Sequence, residues 1–250
     1  MADDMKRAQI LSIGVDKVTM AEAVDRCLGF IDAGGPHLVV TPNAEIADRA
    51  GRDPELAAII NGADLVVPDG AGIVLASRLL GDPVPEKVGG ADLASNLLKA
   101  LNDRGGGRVF LLGTRPEVVA EAARRVQEAY PRIQVVGWRD GFFRPEEEGE
   151  VVAQIRAARP DVLFVALGSP KQERWLHRHL PELGVPVGMG VGGTIDVWAG
   201  AVPRAPQWMI RANLEWLYRI VRLRRVRRSL PPLVRFGLNV LRARAQRPNP

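Results

Sequence analysis

Short apolar runs rich in Val, Ile and Leu alternate along the chain with longer segments in which apolar residues return every three or four positions. The first pattern is that of strands buried on both faces, the second that of helices with one apolar stripe. Their alternation predicts a Rossmann-like α/β fold, a mostly parallel sheet with covering helices. Residues 9–15 read as the first strand. Thr19, with Glu22 three positions on, has the capping-box spacing and starts a helix to about Ala33. Residues 37–40 form a short strand, and Thr41-Pro42-Asn43 turns from it into a helix. Asp53-Pro54 opens another helix with proline at the first helical position. Residues 64–67 are a strand ending in Pro68-Asp69-Gly70, with a further helix starting near Gly70.

The second half is more regular. Strands are predicted over 108–112, 133–137, 161–166 and 186–191. Helices are predicted from Pro116 to about Ala129, over 145–158, and from Gly168-Ser169-Pro170 to about His179. Neither an internal repeat nor a low-complexity linker precedes the tail. Open α/β sheets bind ligands beyond the C-terminal ends of their strands. The loops 41–43, 68–70, 113–115, 139–143, 168–173 and 192–196 are therefore expected on one edge, with the functional residues among them.

Charge changes the picture at the C-terminus. From Arg204 to Pro250 the sequence holds twelve Arg and one acid, Glu215, a net of +11; the formal total of +5 leaves about −6 for the rest. An acidic body with a basic tail points to an anionic partner, and by charge alone phospholipid and nucleic acid both qualify. Ile210, Leu214, Leu217 and Val221 fall at helical spacing beside Trp216, Tyr218 and Ile220, with Arg219, Arg222, Arg224, Arg225, Arg227 and Arg228 around them. After Pro231-Pro232 a second short segment carries Leu233, Phe236, Val240 and Leu241 with Arg235, Arg242 and Arg244. Basic amphipathic helices with interfacial aromatics are built to lie on an anionic membrane. A solvated or self-packed charged face is the plainer alternative. No base-stacking aromatic set or recognition-helix context supports nucleic acid. The chain thus divides into a core, residues 1–205, and a basic amphipathic appendage, residues 206–250.

Its 250 residues suit one α/β domain with a small extension, and 46% apolar with 25% charged residues is an ordinary globular balance. No apolar run approaches ~18 residues, so no bilayer-spanning helix is expected. The polar start, followed by a strand-like segment, predicts no signal peptide. Cys27 is the only cysteine, which excludes an internal disulfide or thiolate cluster and is consistent with a cytoplasmic setting.

Candidate chemistry sits at the strand ends. Asp69 is a carboxylate before a glycine, placed for general-base work or for capping the next helix; the two roles are compatible. Thr41 and Asn43 could grip sugar hydroxyls or serve as turn and cap residues. Gly168-Ser169-Pro170-Lys171-Gln172-Glu173 opens a helix whose free N–H groups, with Lys171, suit a phosphate, or is simply a solvent-exposed helix start. Gly192-Gly193 lets backbone approach a ligand closely or makes a tight turn. Gly113 ends its strand in a similar loop. Several signatures are missing: there is no P-loop, no G-x-S-x-G and no H-E-x-x-H. His177 and His179 lie two apart on a predicted helix and share no face. With no Asp-x-Asp either, neither a tightly held metal nor a cofactor is expected.

Thr41-Pro42-Asn43-Ala44-Glu45, Pro68-Asp69-Gly70, Gly168 to Glu173, Gly190-Val191-Gly192-Gly193-Thr194-Ile195-Asp196, Arg204-Ala205-Pro206 and Leu214-Glu215-Trp216-Leu217-Tyr218-Arg219 occur in that order. In this the chain resembles the WecG/TagA/CpsF family of bacterial glycosyltransferases, from about Ile10 to Arg219. The resemblance implies inverting, metal-independent transfer of a sugar, N-acetylmannosamine in the best-known members, from a UDP-sugar to a polyprenyl-diphosphate-linked sugar. That reaction serves cell-surface polysaccharide or teichoic-acid-type synthesis. It implies Asp69 as the base that deprotonates the acceptor, and Thr41 and Asn43 beside the acceptor or the transferring sugar. Gln172 would contact the donor, and Gly192 and Gly193 would lie near the nucleotide, with Gly113, Gly168 and Lys171 completing that set. Lys87 stands where family members often carry Arg; it keeps the charge and loses the bidentate fork. Asp140-Gly141-Phe142-Phe143 matches a family loop, with Phe142 where Tyr is common. Arg219 is the tail arginine within a matched motif and so the candidate diphosphate ligand. The implied setting is peripheral, on the inner face of the plasma membrane; oligomeric state, a homo-oligomer included, stays open. Two rival classes remain at this point: a nucleotide-sugar dehydrogenase or epimerase, and a non-enzymatic α/β module tethered to membrane or RNA.

Overall fold

The computed structural model describes residues 7–203, 205, 206, 208, 209, 218 and 226–246. Six strands form one parallel sheet: β3 (His37–Val40), β4 (Leu65–Val66), β5 (Gly107–Gly113), β6 (Ile133–Arg139), β7 (Val162–Ala166) and β8 (Val187–Gly190), in the order β4-β3-β8-β7-β5-β6. The period of two along each strand divides its side chains between two cores. On β7, Leu163 and Val165 join one core while Val162 and Phe164 join the other.

One face is covered by α2 (Ala44–Ala50), α3 (Pro54–Gly62), α4 (Ala71–Leu79), α7 (Glu148–Ala158) and α8 (Lys171–Leu183). The other is covered by α1 (Met20–Ala33), α5 (Gly90–Asp103), α6 (Pro116–Ala129) and the short α9 (Thr194–Trp198). The capping box predicted for α1 is present, Thr19 Oγ1 accepting from Glu22 N–H while the Glu22 carboxylate accepts from Thr19 N–H. The bonds that the carboxylate accepts from the Thr19 N–H and the Thr19 hydroxyl hold the Glu22 carboxyl below its ordinary range. Asp53 caps α3, with Pro54 at its first position.

Several elements depart from the sequence reading. Residues 9–15 are not one strand but part of an antiparallel hairpin, β1 (Arg7–Ile10) and β2 (Ile13–Asp16), separate from the main sheet. Leu11 makes the turn at φ 57°. Asp16 fastens the hairpin, pairing with Arg7 Nε at 3.0 Å and accepting from the Val66 N–H at 2.7 Å. Helix α8 runs to Leu183, past the expected end near His179 and through Pro181. The buried Leu180 and Leu183 hold that last turn, each worth about 1.5–3 kcal/mol if fully buried, against a proline cost of ~3 kcal/mol. Helix α5 has no counterpart among the predicted elements.

A further departure concerns the tail. Residues 226–245 form one helix, α10 (Val226–Ala245), running through Pro231-Pro232 rather than stopping there. Phe236 and Val240 are buried in the same core as α2 and α4, and Leu233 and Ala243 pack against it. The Asp48 carboxylate, almost fully buried on α2, accepts from Arg52 at 2.7 Å and from Arg235 at 2.9 Å. At the far end Arg244 Nη1 donates to the Leu79 carbonyl at 3.0 Å. Leu230, Val234, Leu238 and Leu241 lie on the outer side, each about half exposed. Among the described residues no helix is long and apolar enough to cross a membrane.

Candidate active site

All six strands are parallel, so the loops leaving them open on one edge. The β4-β3 flank carries one group of candidates. Thr41, nearly buried, leaves β3 and rests against the start of α5: a Cβ added to Gly90 would stand 2.6 Å from Thr41 Oγ1. Only glycine fits there. Asn43 caps α2, its Oδ1 accepting from the Ile46 N–H at 3.1 Å. Asp69 is half-buried at the end of β4. The N-cap of α4 is Gly70, at φ 88°, which has no side chain with which to cap the helix.

The loop before α5 closes on the same point. The Val88 N–H donates to the Pro68 carbonyl at 3.0 Å. Asp69 Oδ1 and Asp92 Oδ2 lie 3.6 and 3.2 Å from the position a Cβ on Gly89 would take. Half-buried Lys87 directly precedes Val88, so its backbone is fixed one residue from that bond. Thr41, Asn43, Asp69 and the Lys87 loop thus share one flank, with Gly89, Gly90 and Asp92 beside them. The Gly89-Gly90 pair opening a helical apolar pattern was the available signal for this contact.

The β8-β7-β5 side carries the second group. Gln172, 4% exposed, is held at both ends of its amide: Oε1 accepts from the Gly192 N–H at 3.1 Å and Nε2 donates to Glu173 Oε1 at 3.0 Å. A Cβ on Gly190 would fall 2.7 Å from Gln172 Nε2, so β8 needs glycine there. Gln172 therefore sits beneath the loop carrying Gly192 and Gly193 and sets its position. Glu173 is buried beside it, and that burial raises its carboxyl above the ordinary value of 4.5. Arg49 of α2 donates to the Ser169 carbonyl at 2.5 Å, joining the two flanks.

Two further ties order the loops leaving β5, β6 and β8, and local pattern does not reveal them. Thr114 Oγ1 donates to Asp196 Oδ1 at 2.9 Å, and the Gly141 N–H donates to the Thr114 carbonyl at 2.9 Å. Gly113 is buried against the Ala166 backbone, whereas Gly168 and Gly193 are exposed. Lys171 is exposed, its ammonium 5.1 Å from the Phe143 ring centre. Arg219 lies outside the described residues, as does most of the 210–225 pattern. Among the described residues no three His, Cys, Asp or Glu side chains gather as a metal site would require.

A parallel sheet with polar loops converging beyond one edge defines an α/β enzyme that binds its ligands in that crevice. The chain belongs to the WecG/TagA/CpsF family of glycosyl transferases, whose model matches residues 8–250, and it is a glycosyltransferase. It is 38% identical over 192 residues to the N-acetylglucosaminyldiphosphoundecaprenol N-acetyl-beta-D-mannosaminyltransferase of Bacillus spizizenii, across 77% of this chain and 74% of that one. The proteins of the same name from Bacillus subtilis and Staphylococcus aureus are each 36% identical, the latter over 217 residues, 85% of this chain and 84% of its own. Membership sets aside the dehydrogenase and the non-enzymatic module.

Proposed function

We propose that the enzyme moves an N-acetylmannosamine-like sugar from a UDP-sugar to a polyprenyl-diphosphate-linked sugar, with inversion and without a metal. The observation that carries this is the half-buried Asp69 at the end of β4, sharing a flank with Thr41, Asn43 and Lys87, in a chain whose relatives bear the name of that transfer. Asp69 takes the proton of the acceptor hydroxyl as its oxygen attacks the anomeric carbon from the face opposite the leaving group. The new C–O bond forms, the bond to the diphosphate breaks, and UDP departs with the electron pair. Lys87, Lys171, Arg219 and the N-terminus of α8 offset the charge that develops on the diphosphate. Gly113, Gly168, Gly192 and Gly193 let backbone lie against the nucleotide.

The acceptor is lipid-linked, which places the work at a membrane surface; we assign the inner leaflet and the appendage from residue 206 to that contact. The stripe Leu230, Val234, Leu238 and Leu241 on the outer side of α10, with Arg242 beside it, supports this. The test is UDP release with UDP-N-acetylmannosamine and a short-chain lipid-diphosphate N-acetylglucosamine, with product anomer read by NMR and chelator added in one arm. Transfer that needs an added divalent ion, or that keeps the donor's anomeric configuration, overturns the mechanism.

A further inference from the structure

We propose that Phe236 is a positioning residue for the transfer site, acting through the seam where the first turns of α2 and α4 meet. The proposal rests on the transferase reading above. Ala44, the first residue of α2, directly follows Asn43; Gly72, in the first turn of α4, lies three residues after Asp69. A Cβ on Gly72 would stand 3.0 Å from Ala44 Cβ and 3.9 Å from Phe236 Cε1. Three elements therefore touch at one point, immediately behind the two loops that carry Asn43 and Asp69. Phe236 is 5% exposed there, on the helix farthest from the site in sequence.

Little local structure fixes these two helices. Helix α2 has seven residues and α4 has nine, and the N-cap of α4 is a glycine. Helices shorter than ~12–15 residues are marginal by themselves, so tertiary packing sets where they lie. Helix α10 supplies it at three places: Arg235 on Asp48 of α2, Phe236 at the first turn of α4, and Arg244 on the Leu79 carbonyl at its last. Removing the ring leaves the seam free to close, and α2 and α4 shift with their loops.

The test is steady-state transfer to a soluble short-chain lipid-diphosphate acceptor without membranes, so that anchoring plays no part. Rates are taken per UDP-binding site, so that unfolded protein is not counted. For Phe236→Ala we expect kcat to fall about ten- to a hundredfold, the scale of an ångström-sized misplacement, with UDP affinity within about twofold of wild type. Phe236→Leu should restore most of the loss, which a merely destabilised fold would not show per binding site. If Phe236→Ala yields no folded protein, Gly72→Ala is read instead, since its methyl must spread the same seam. A kcat within about twofold of wild type in whichever variant is read overturns the proposal. An inactive wild-type enzyme overturns the transferase reading and this proposal with it; an active wild type with unchanged variants overturns the positioning role alone.

Discussion

Thr41 and Gly90 meet so closely that no side chain fits between them, the hydroxyl oxygen standing 2.6 Å from where a Cβ would be. Gly90→Ala must push Thr41 aside or move the start of α5. Overpacking of this kind costs about 1–3 kcal/mol. We expect a lower thermal midpoint and a fall in transfer larger than the loss of folded protein. Calorimetry and initial rates on one preparation check both, and an unaltered rate would show that the contact does not reach the site.

Asp69→Ala should lower kcat by about 10²–10⁴-fold, the range for loss of a general base. UDP should still bind, because the glycine loops assigned to the nucleotide lie on the other flank. Isothermal titration beside the transfer assay separates the two effects. Undiminished turnover would remove Asp69 from the mechanism.

Glu173 gives a stability prediction with a definite sign. Burial raises its folded carboxyl above the ordinary value of 4.5, so the folded state binds the proton more tightly than the unfolded chain. Its contribution is fully present below the unfolded value and is lost as pH rises through the folded one. Glu173→Gln keeps an acceptor for Gln172 Nε2 and removes the charge. Wild type should lose stability relative to the variant as pH rises above 4.5, while below it the two should converge. Urea unfolding across that range tests the crossing, and a constant difference would contradict it.

Membrane contact is best tested on the outer side of α10. Truncation would also remove the buried Phe236 and Val240. Val234→Glu with Leu238→Glu places two charges on the exposed stripe and leaves the inner side intact. Sedimentation with anionic liposomes should fall at least several-fold, and binding by the wild type should weaken as salt screens the arginines. Equal sedimentation by the variant would move the contact elsewhere.

Local signals carried most of the fold. The Thr19–Glu22 capping box and the Asp53-Pro54 start act within one helical turn, so the chain shows them directly. Strand ends were legible from the change of period, and with them the loops holding Asp69 and Thr41. The hairpin was not, because an apolar residue such as Leu11 at positive φ leaves no trace in an apolar run. Nor were the partners of Gly90 and Gly190, which lie 49 and 18 residues away and appear only when the strands align. Phe236 and Val240 looked like part of a lipid-facing stripe. An amphipathic period identifies a face but not what covers it, and here the cover is α2 and α4.

The docking of α10 also bears on how the chain is made. Its seat is built from residues 44–79, yet the helix that fills it begins only at Val226. During synthesis the early segments leave the ribosome long before Phe236 exists, and α10 can dock only once the intervening residues have been made. Until then the apolar surface of α2 and α4 stands open in the newborn chain, exposed to other partners.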